Sequence, residues 1–377
     1  MRKKSSPWHP SRRSVLKASM TLGSFAMAAP LFAQPAVLKP KRKVVIAYGV
    51  PTLDSMASVF FSSIPIGAGF FAEEGLDVEI QPTNGASAAI SVLAAGSAQF
   101  ATHSSGALLP AVGKGVPMKA FIVQIPDSFS SIAVLDEGPV KNIEDLKGKT
   151  IGVAALTGAP TLLIKSVLSR MGWDVAKDVQ WLAVGTGTPA LDALRRGRID
   201  ALGLWMTPYA LFEFHGAKFR YFRPEPLLSV GFTHTTNVHD SIVEKDPELV
   251  AAMSRALAKS LVFMLAAQPD ELTKLHFKTY PAAKPVSLSD DDLRRLQQSS
   301  LAATIQYMRA KQRFETRREK LGDESDERIT ELAKVLYEGG EIPAVLPPER
   351  YFTRQFIPTM NAINFDAVIE QARGFRA

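Results

Sequence analysis

The chain has 377 residues, of which 46% are apolar, enough for two packed lobes. Its formal charge of +7 suggests a polyanion partner, but six of the 44 basic residues (Arg2, Lys3, Lys4, Arg12, Arg13, Lys17) precede residue 34, where there is no acid, and 44 less those six leaves 38 against 37 acidic residues. The remainder is nearly neutral, which argues against nucleic acid, and the lack of cysteine excludes disulfides, thiolate catalysis, iron–sulfur ligation and a lipidated cysteine.

In chain order, Ser11-Arg12-Arg13-Ser14-Val15-Leu16-Lys17 opens a leader whose modestly apolar stretch, Ala18 to Ala29, ends at Leu31-Phe32-Ala33. It resembles a twin-arginine export signal over residues 1–33, with cleavage expected after Ala33 and a periplasmic mature protein. Ser19, Thr21, Gly23 and Ser24 dilute the stretch, and it falls short of the ~20 residues a spanning helix needs. Residues 34–43, with Pro35 and Pro40, read as a flexible tail.

A strand is predicted at Val44–Tyr48, followed by a loop through Gly49 to Thr52 and a small-residue helix that leads to a second strand at Gly75-Leu76-Asp77-Val78. Ser87 is the expected N-cap of a helix stopped at Gly96, and an apolar strand follows from Phe100. Lys119 to Gln124, a break at Pro126-Asp127-Ser128, and Ile132 to Leu135 read as a crossing between lobes. The pattern then repeats: a strand at Thr150–Ala154, a Thr157-to-Pro160 turn into a helix ending at Gly172, and Gly185 to Pro189, where Thr188 caps a helix stopped by Gly197 before Ile199-Asp200-Ala201. Strands alternating with helices of about 10–15 residues imply parallel βαβ units, hence two α/β lobes. The expected division is 44–126 for the first part of lobe 1, 127–226 for lobe 2 with hinge crossings at its ends, and 227–377 for the return and the C-terminal helices. The Pro224-Glu225-Pro226 turn before Leu228 to Phe232 carries the return crossing. Two extended crossings make a hinge that permits closure on a ligand.

Beyond Asp246-Pro247, Leu249, Val250, Met253, Leu257 and Leu261 recur at helical spacing. A long basic helix is predicted from Ser289 to Glu319, with the acidic first turn Asp290-Asp291-Asp292, and a last helix packs through Val368 and Ile369.

Gly69-Phe70-Phe71-Ala72-Glu73-Glu74-Gly75-Leu76-Asp77-Val78, Leu93-Ala94-Ala95-Gly96, and Asn142-Ile143-Glu144-Asp145-Leu146-Lys147-Gly148-Lys149-Thr150-Ile151-Gly152-Val153 resemble the solute-binding proteins of nitrate, sulfonate and taurine ABC importers, the SsuA/NMT1-like family. The likeness extends through Gly197-Arg198-Ile199-Asp200-Ala201 and Trp205 to Pro208-Tyr209. It implies a type II periplasmic-binding-protein fold, capture of a small molecule between lobes, and delivery to an inner-membrane permease. A monomer is expected, with no catalytic residue, cofactor or metal.

In open α/β sheets ligands lie beyond the carboxyl ends of the strands. Lobe 1 then offers Thr52, Asp54 and Ser55 with His103, Ser104 and Ser105; lobe 2 offers Thr157, Gly158 and Thr161, then Gly187 and Thr188, then Trp205, Thr207 and Tyr209. These loops carry hydroxyls and glycines but no lysine or arginine, so an anionic group would be held by hydroxyls and helix N-termini. Asp54 favours a ligand that also carries an amine, and Trp205 with Tyr209 would cover it. His234 and His239 lack a third metal ligand and read as hydrogen-bonding residues.

The expected function is therefore a receptor for a small organic anion or zwitterion. A binder of a neutral or aromatic heterocycle, such as a thiamine-pyrimidine precursor, is the alternative. Two other classes are a pyrimidine-synthase-like enzyme, disfavoured because these loops contain no lysine for a Schiff base, and a partner that presents its ligand to a membrane sensor.

Overall fold

A computed structural model of the chain describes residues 41–53, 58–156, 158–284, 289–312 and 320–377. The export leader, most of the tail, Asp54, Ser55, Thr157 and the basic stretch from Arg313 to Glu319 lie outside the described residues.

The first sheet begins with β1 (Arg42–Tyr48), followed by the short helices α1 (Ser63–Gly67) and α2 (Phe70–Glu73), then β2 (Leu76–Pro82), α3 (Ala86–Ala94), β3 (Phe100–Ser104), α4 (Ser105–Gly113) and β4 (Met118–Asp127). The chain then enters a second sheet: β5 (Ser130–Leu135), β6 (Thr150–Val153), α5 (Ala159–Arg170), β7 (Gln180–Ala183), α6 (Thr188–Arg195), β8 (Ala201–Trp205), α7 (Met206–Phe214) and β9 (Phe219–Phe222). It returns through α8 (Glu225–Ser229) into β10 (Gly231–His239) of the first sheet. The C-terminal part is helical: α9 (Asp240–Lys245), α10 (Pro247–Ala266), α11 (Pro269–Thr279), α12 (Asp290–Gln312), α13 (Asp326–Glu338), α14 (Ile357–Asn361) and α15 (Phe365–Gly374).

The internal repeat is visible in the strand orders, β2-β1-β3-β10-β4 and β7-β6-β8-β5-β9. In each sheet the first three strands are parallel, and an antiparallel strand supplied across a crossing lies fourth. Ile46 and Phe100, with no exposure, fill the first sheet's core, and Ile151 and Ala201 do the same in the second. Gly96, Gly172 and Gly197 close their helices at φ 73°, 87° and 67°, where a side chain would be strained.

Three local expectations change. Ser87 lies within α3, whose N-cap is Gly85, and Thr188 is the first residue of α6, whose N-cap is Gly187. Gly85 has φ 96°, in the left-handed region that favours glycine, whereas Gly187 at φ −91° is in ordinary extended backbone. The break expected at Pro126-Asp127-Ser128 is also narrower, because β4 runs on through Asp127. As the edge strand of its sheet, β4 tolerates a proline that donates no ladder hydrogen bond.

Helix α10 is long and apolar enough to cross a membrane, yet Met253, Leu257, Leu261 and Phe263 all have 0% exposure in the core of the first lobe. Its start follows from sequence: Pro247 occupies the first turn and the Asp246 side chain accepts from Leu249 N–H at 3.2 Å. Two later helices touch the second lobe as well: α12 packs on α7 and α13 on α5. Arg170 of α5 pairs with Glu331 and Glu338 of α13, tying the latter contact.

Candidate functional site in the cleft between the sheets

Strand direction decides which edges meet. β4 ends at the carboxyl edge of the first sheet, β5 starts at the carboxyl edge of the second, and only Ser128 and Phe129 separate them. The second crossing joins the same edges, because β9 ends beside the start of β5 and Gly231 pairs with Asp127. The strand ends that lead into α3 and α4 therefore face those that lead into α5, α6 and α7. At the base of this cleft Ser104 and Thr233 of the first lobe approach Pro160 and Leu163 of the second, with Ser128 and Ser130 at the hinge. The gap there measures only about 10 Å³, room for one water.

The helices opening on the cleft share an electrostatic property. Helices α3, α4, α5, α6 and α7 have no acidic residue in the first turn. Every other described helix of six or more residues, from α9 to α13 and α15, carries at least one. Four of the five cleft helices also lack a side-chain cap, beginning after Gly85, Gly158, Gly187 and Trp205. Their N–H groups and positive dipole ends are left uncompensated, a suitable setting for a negatively charged group.

The sequence-nominated residues divide in two. Ser104 lines the gap and its Oγ accepts from Gly106 N–H at 3.3 Å, capping α4. Gly158 and Gly187 stand at helix starts, Thr188 and Thr52 are exposed, and Trp205 and Thr207 are half-buried at the entry to α7. The others turn inward. Ser105 is fully buried, with its Oγ 3.4 Å from Thr235 Oγ1, and Thr161 donates to Ala155 O at 2.8 Å, closing its own loop.

His103 and Tyr209 need correction, because both sit in the packed interior rather than on the cleft wall. Asn237 Nδ2 donates to His103 Nε2 at 3.2 Å, so His103 Nδ1 carries the proton and donates to Ser104 O at 3.0 Å. Both ring nitrogens are occupied and the residue is 3% exposed. The Tyr209 hydroxyl accepts from Leu204 N–H at 3.0 Å and is shared between Ser131 O at 2.9 Å and Leu202 O at 2.7 Å. Residues that sequence reasoning passed over include Ser130 and Thr233 at the gap, and His234, which pairs in register with Ser104 and is bonded through Nδ1 to Gln124. The run Ser128-Phe129-Ser130-Ser131 was the available signal, a polar stretch at the predicted crossing.

Burial pushes His103 down to about 4 from its ordinary 6.5, because the interior disfavours imidazolium. As pH falls below 6.5 the unfolded chain therefore takes up a proton that folded His103 refuses, and stability declines until about pH 4. Relative to His103→Gln, the native chain should lose up to ~1.4 kcal/mol more per pH unit in this window. Urea denaturation at pH 7, 6, 5 and 4 checks this, and parallel stability curves for the two proteins would contradict it.

The family model described as NMT1/THI5 like matches residues 66–272, more than half of the chain. The chain belongs to the NMT1/THI5-like family. A relative from Brucella abortus (strain 2308) is 34% identical over 139 residues, 36% of this chain and 41% of that protein. The match thus spans about two-fifths of the length of the curated relatives it aligns with first. The formylaminopyrimidine-binding protein of Halalkalibacterium halodurans is 27% identical over 215 residues, 56% of this chain and 63% of its own. The riboflavin-binding protein of Chloroflexus aurantiacus is 23% identical over 293 residues, 77% of this chain and 80% of its own. Among solved structures, the periplasmic aliphatic sulphonate-binding protein SsuA of Escherichia coli superposes with a TM-score of 0.58 at 12% identity, covering 82% of this chain and 91% of that one. That likeness establishes the fold, two α/β lobes of the periplasmic-binding-protein type, for this member of the NMT1/THI5-like family.

Proposed function

We propose that this NMT1/THI5-like protein is an exported solute-binding receptor of an ABC importer. It captures a small organic anion or zwitterion between its lobes and hands it to an inner-membrane permease, without covalent chemistry. The observation that carries the ligand class is the set of five cleft-facing helices with no acidic first turn. An anion held by N–H groups and hydroxyls needs no buried counter-charge, which fits nominated strand-to-helix loops free of lysine and arginine. Because the gap at the hinge admits only one water, a larger ligand requires the lobes to part there.

A second reading, an aromatic heterocycle, is favoured by half-buried Trp205 and Phe129 near the strand ends. The names of the formylaminopyrimidine- and riboflavin-binding relatives point the same way. The two readings meet in a heterocycle that carries an acidic group.

A melting-temperature screen of sulfonates, taurine, nitrate, aromatic carboxylates and aminopyrimidines tests the binding itself, because a ligand of the native state raises the transition. Gly158→Asp tests the electrostatics. Gly158 has φ −71° and ψ 143°, suited to an aspartate N-cap, so the variant should gain ~0.5–1 kcal/mol in stability. It should at the same time bind an anionic ligand roughly tenfold more weakly, through like-charge repulsion at close range. Unchanged affinity in a stabilised variant would remove α5 from the site.

A further inference from the structure

His234 differs from the other inward-turned histidines in what it leaves unused. It stands on β10 in register with Ser104, the residue that caps α4 and lines the gap. Its Nδ1 lies 3.0 Å from Gln124 Oε1, and the Gln124 amide nitrogen is in turn bonded to Thr236 Oγ1. A carbonyl oxygen only accepts, so Nδ1 carries the proton and Nε2 keeps its lone pair. His234 Nε2 makes no hydrogen bond to any described residue, and the side chain is only half-buried. By contrast, both ring nitrogens of His103 and both of His276 are bonded. The Phe60 ring, 6.4 Å away and nearly perpendicular, walls one side of His234. A lone pair beside apolar surface gains when a donor reaches it and loses when a second acceptor is placed there.

We propose that His234, with its tautomer set by Gln124, is a specificity-determining residue of the cleft, where Nε2 accepts a hydrogen bond from an N–H group of the ligand. The inference rests on the reading of the cleft as the ligand site and narrows it. The helix N-termini take the anionic end, and His234 selects, among molecules of that class, those with an N–H donor beside it. Simple anions meet an acceptor there and are disfavoured.

Two measurements on the full chain test this. Calorimetric titration compares taurine with ethanesulfonate, and 4-aminopyrimidine-5-carboxylate with pyrimidine-5-carboxylate, in the native protein, in H234F and in H234Q. The native protein should prefer the amine-bearing member of at least one pair by on the order of tenfold, the worth of one good hydrogen bond. H234F, which keeps a ring and loses the acceptor, should bind the two members equally; H234Q, which restores an acceptor, should recover part of the preference. Separately, carbethoxylation by diethyl pyrocarbonate, mapped by mass spectrometry, should label His234 along with exposed His215 and spare His103 and His276. A native preference that survives in H234F, or a His234 as protected as His103, overturns the inference while leaving the cleft reading intact. Failure of the native protein to bind any of the four probes overturns the ligand class and the inference with it.

Discussion

Arg328→Ala should cost about 3 kcal/mol at neutral pH, the low end of the loss for a buried ion pair because the Arg328 side chain is itself 30% exposed. Arg328 projects from α13 into the place where both crossings pass. Its guanidinium is bonded to the Asp127 carboxylate at the end of β4, reaches Val230 O at 3.3 Å at the start of the return crossing, and pairs with Glu324 Oε2 at 3.1 Å. Asp127 and Glu324 are 7% and 8% exposed, so neither regains full hydration when the cation is removed. Glu324 also accepts from Phe232 N–H at 3.3 Å, and Phe232, with φ 60°, is the only non-glycine residue at positive φ among the described residues. A bulky residue there is strained and persists because its surroundings hold it. Gly231 is part of the same arrangement: a Cβ would stand 2.7 Å from Arg328 Nε and 2.8 Å from Glu324 Oε2.

The pH dependence identifies the cause. Burial already pushes Glu324 up from its ordinary 4.5, with Arg328 pulling the other way, so losing Arg328 raises it further. A carboxyl with a raised folded pKa contributes stability at low pH and loses it as pH rises through that value. The deficit of Arg328→Ala should therefore be full at pH 7 and shrink as pH falls toward 4.5. Denaturation of variant and native chain at both ends of this range gives the answer. A deficit below 1 kcal/mol, or one independent of pH, would mean that the crossings are held by packing alone.

Tyr209→Phe should cost about 2–4 kcal/mol although it deletes a single oxygen. The hydroxyl serves three backbone groups of β5 and β8 in a site with 2% exposure, so its loss deprives the Leu204 N–H and the Ser131 and Leu202 carbonyls of that partner. Burial also holds the phenol well above its usual titration range, so it stays a neutral donor at every physiological pH. Ligand affinity at temperatures below the transition should be unchanged, because the oxygen lies in the sheet and not in the cleft. A calorimetric scan and a titration on the same sample separate the two effects. Loss of affinity in a chain of unchanged stability would return Tyr209 to the cleft wall.

Much of this protein was legible before any coordinates. Two βαβ units, their glycine punctuation and the proline-capped start of α10 are local matters, governed by apolar periodicity, turn chemistry and capping over ten or twenty residues. Such signals also located the loops at the carboxyl ends of the strands, and with them Ser104, Gly158, Gly187 and Trp205. The sequence alone likewise established that these loops carry no cation, a fact about residue types rather than positions.

What it left undecided depends on the direction in which side chains leave the strands and on contacts between distant segments. His103 and His234 look alike in sequence, both preceded by threonine, yet Asn237 and the Ser104 carbonyl engage both nitrogens of one ring while Gln124 holds only one nitrogen of the other. Tyr209 and Trp205 lie four residues apart around the entry to α7, and the helical turn carries one into the core and leaves the other at its rim. Arg328 lies some 200 residues from Asp127 in sequence and meets it only because α13 folds back over both crossings. The tertiary structure decides these matters because burial and hydrogen-bond competition act in space, where chain separation carries no weight.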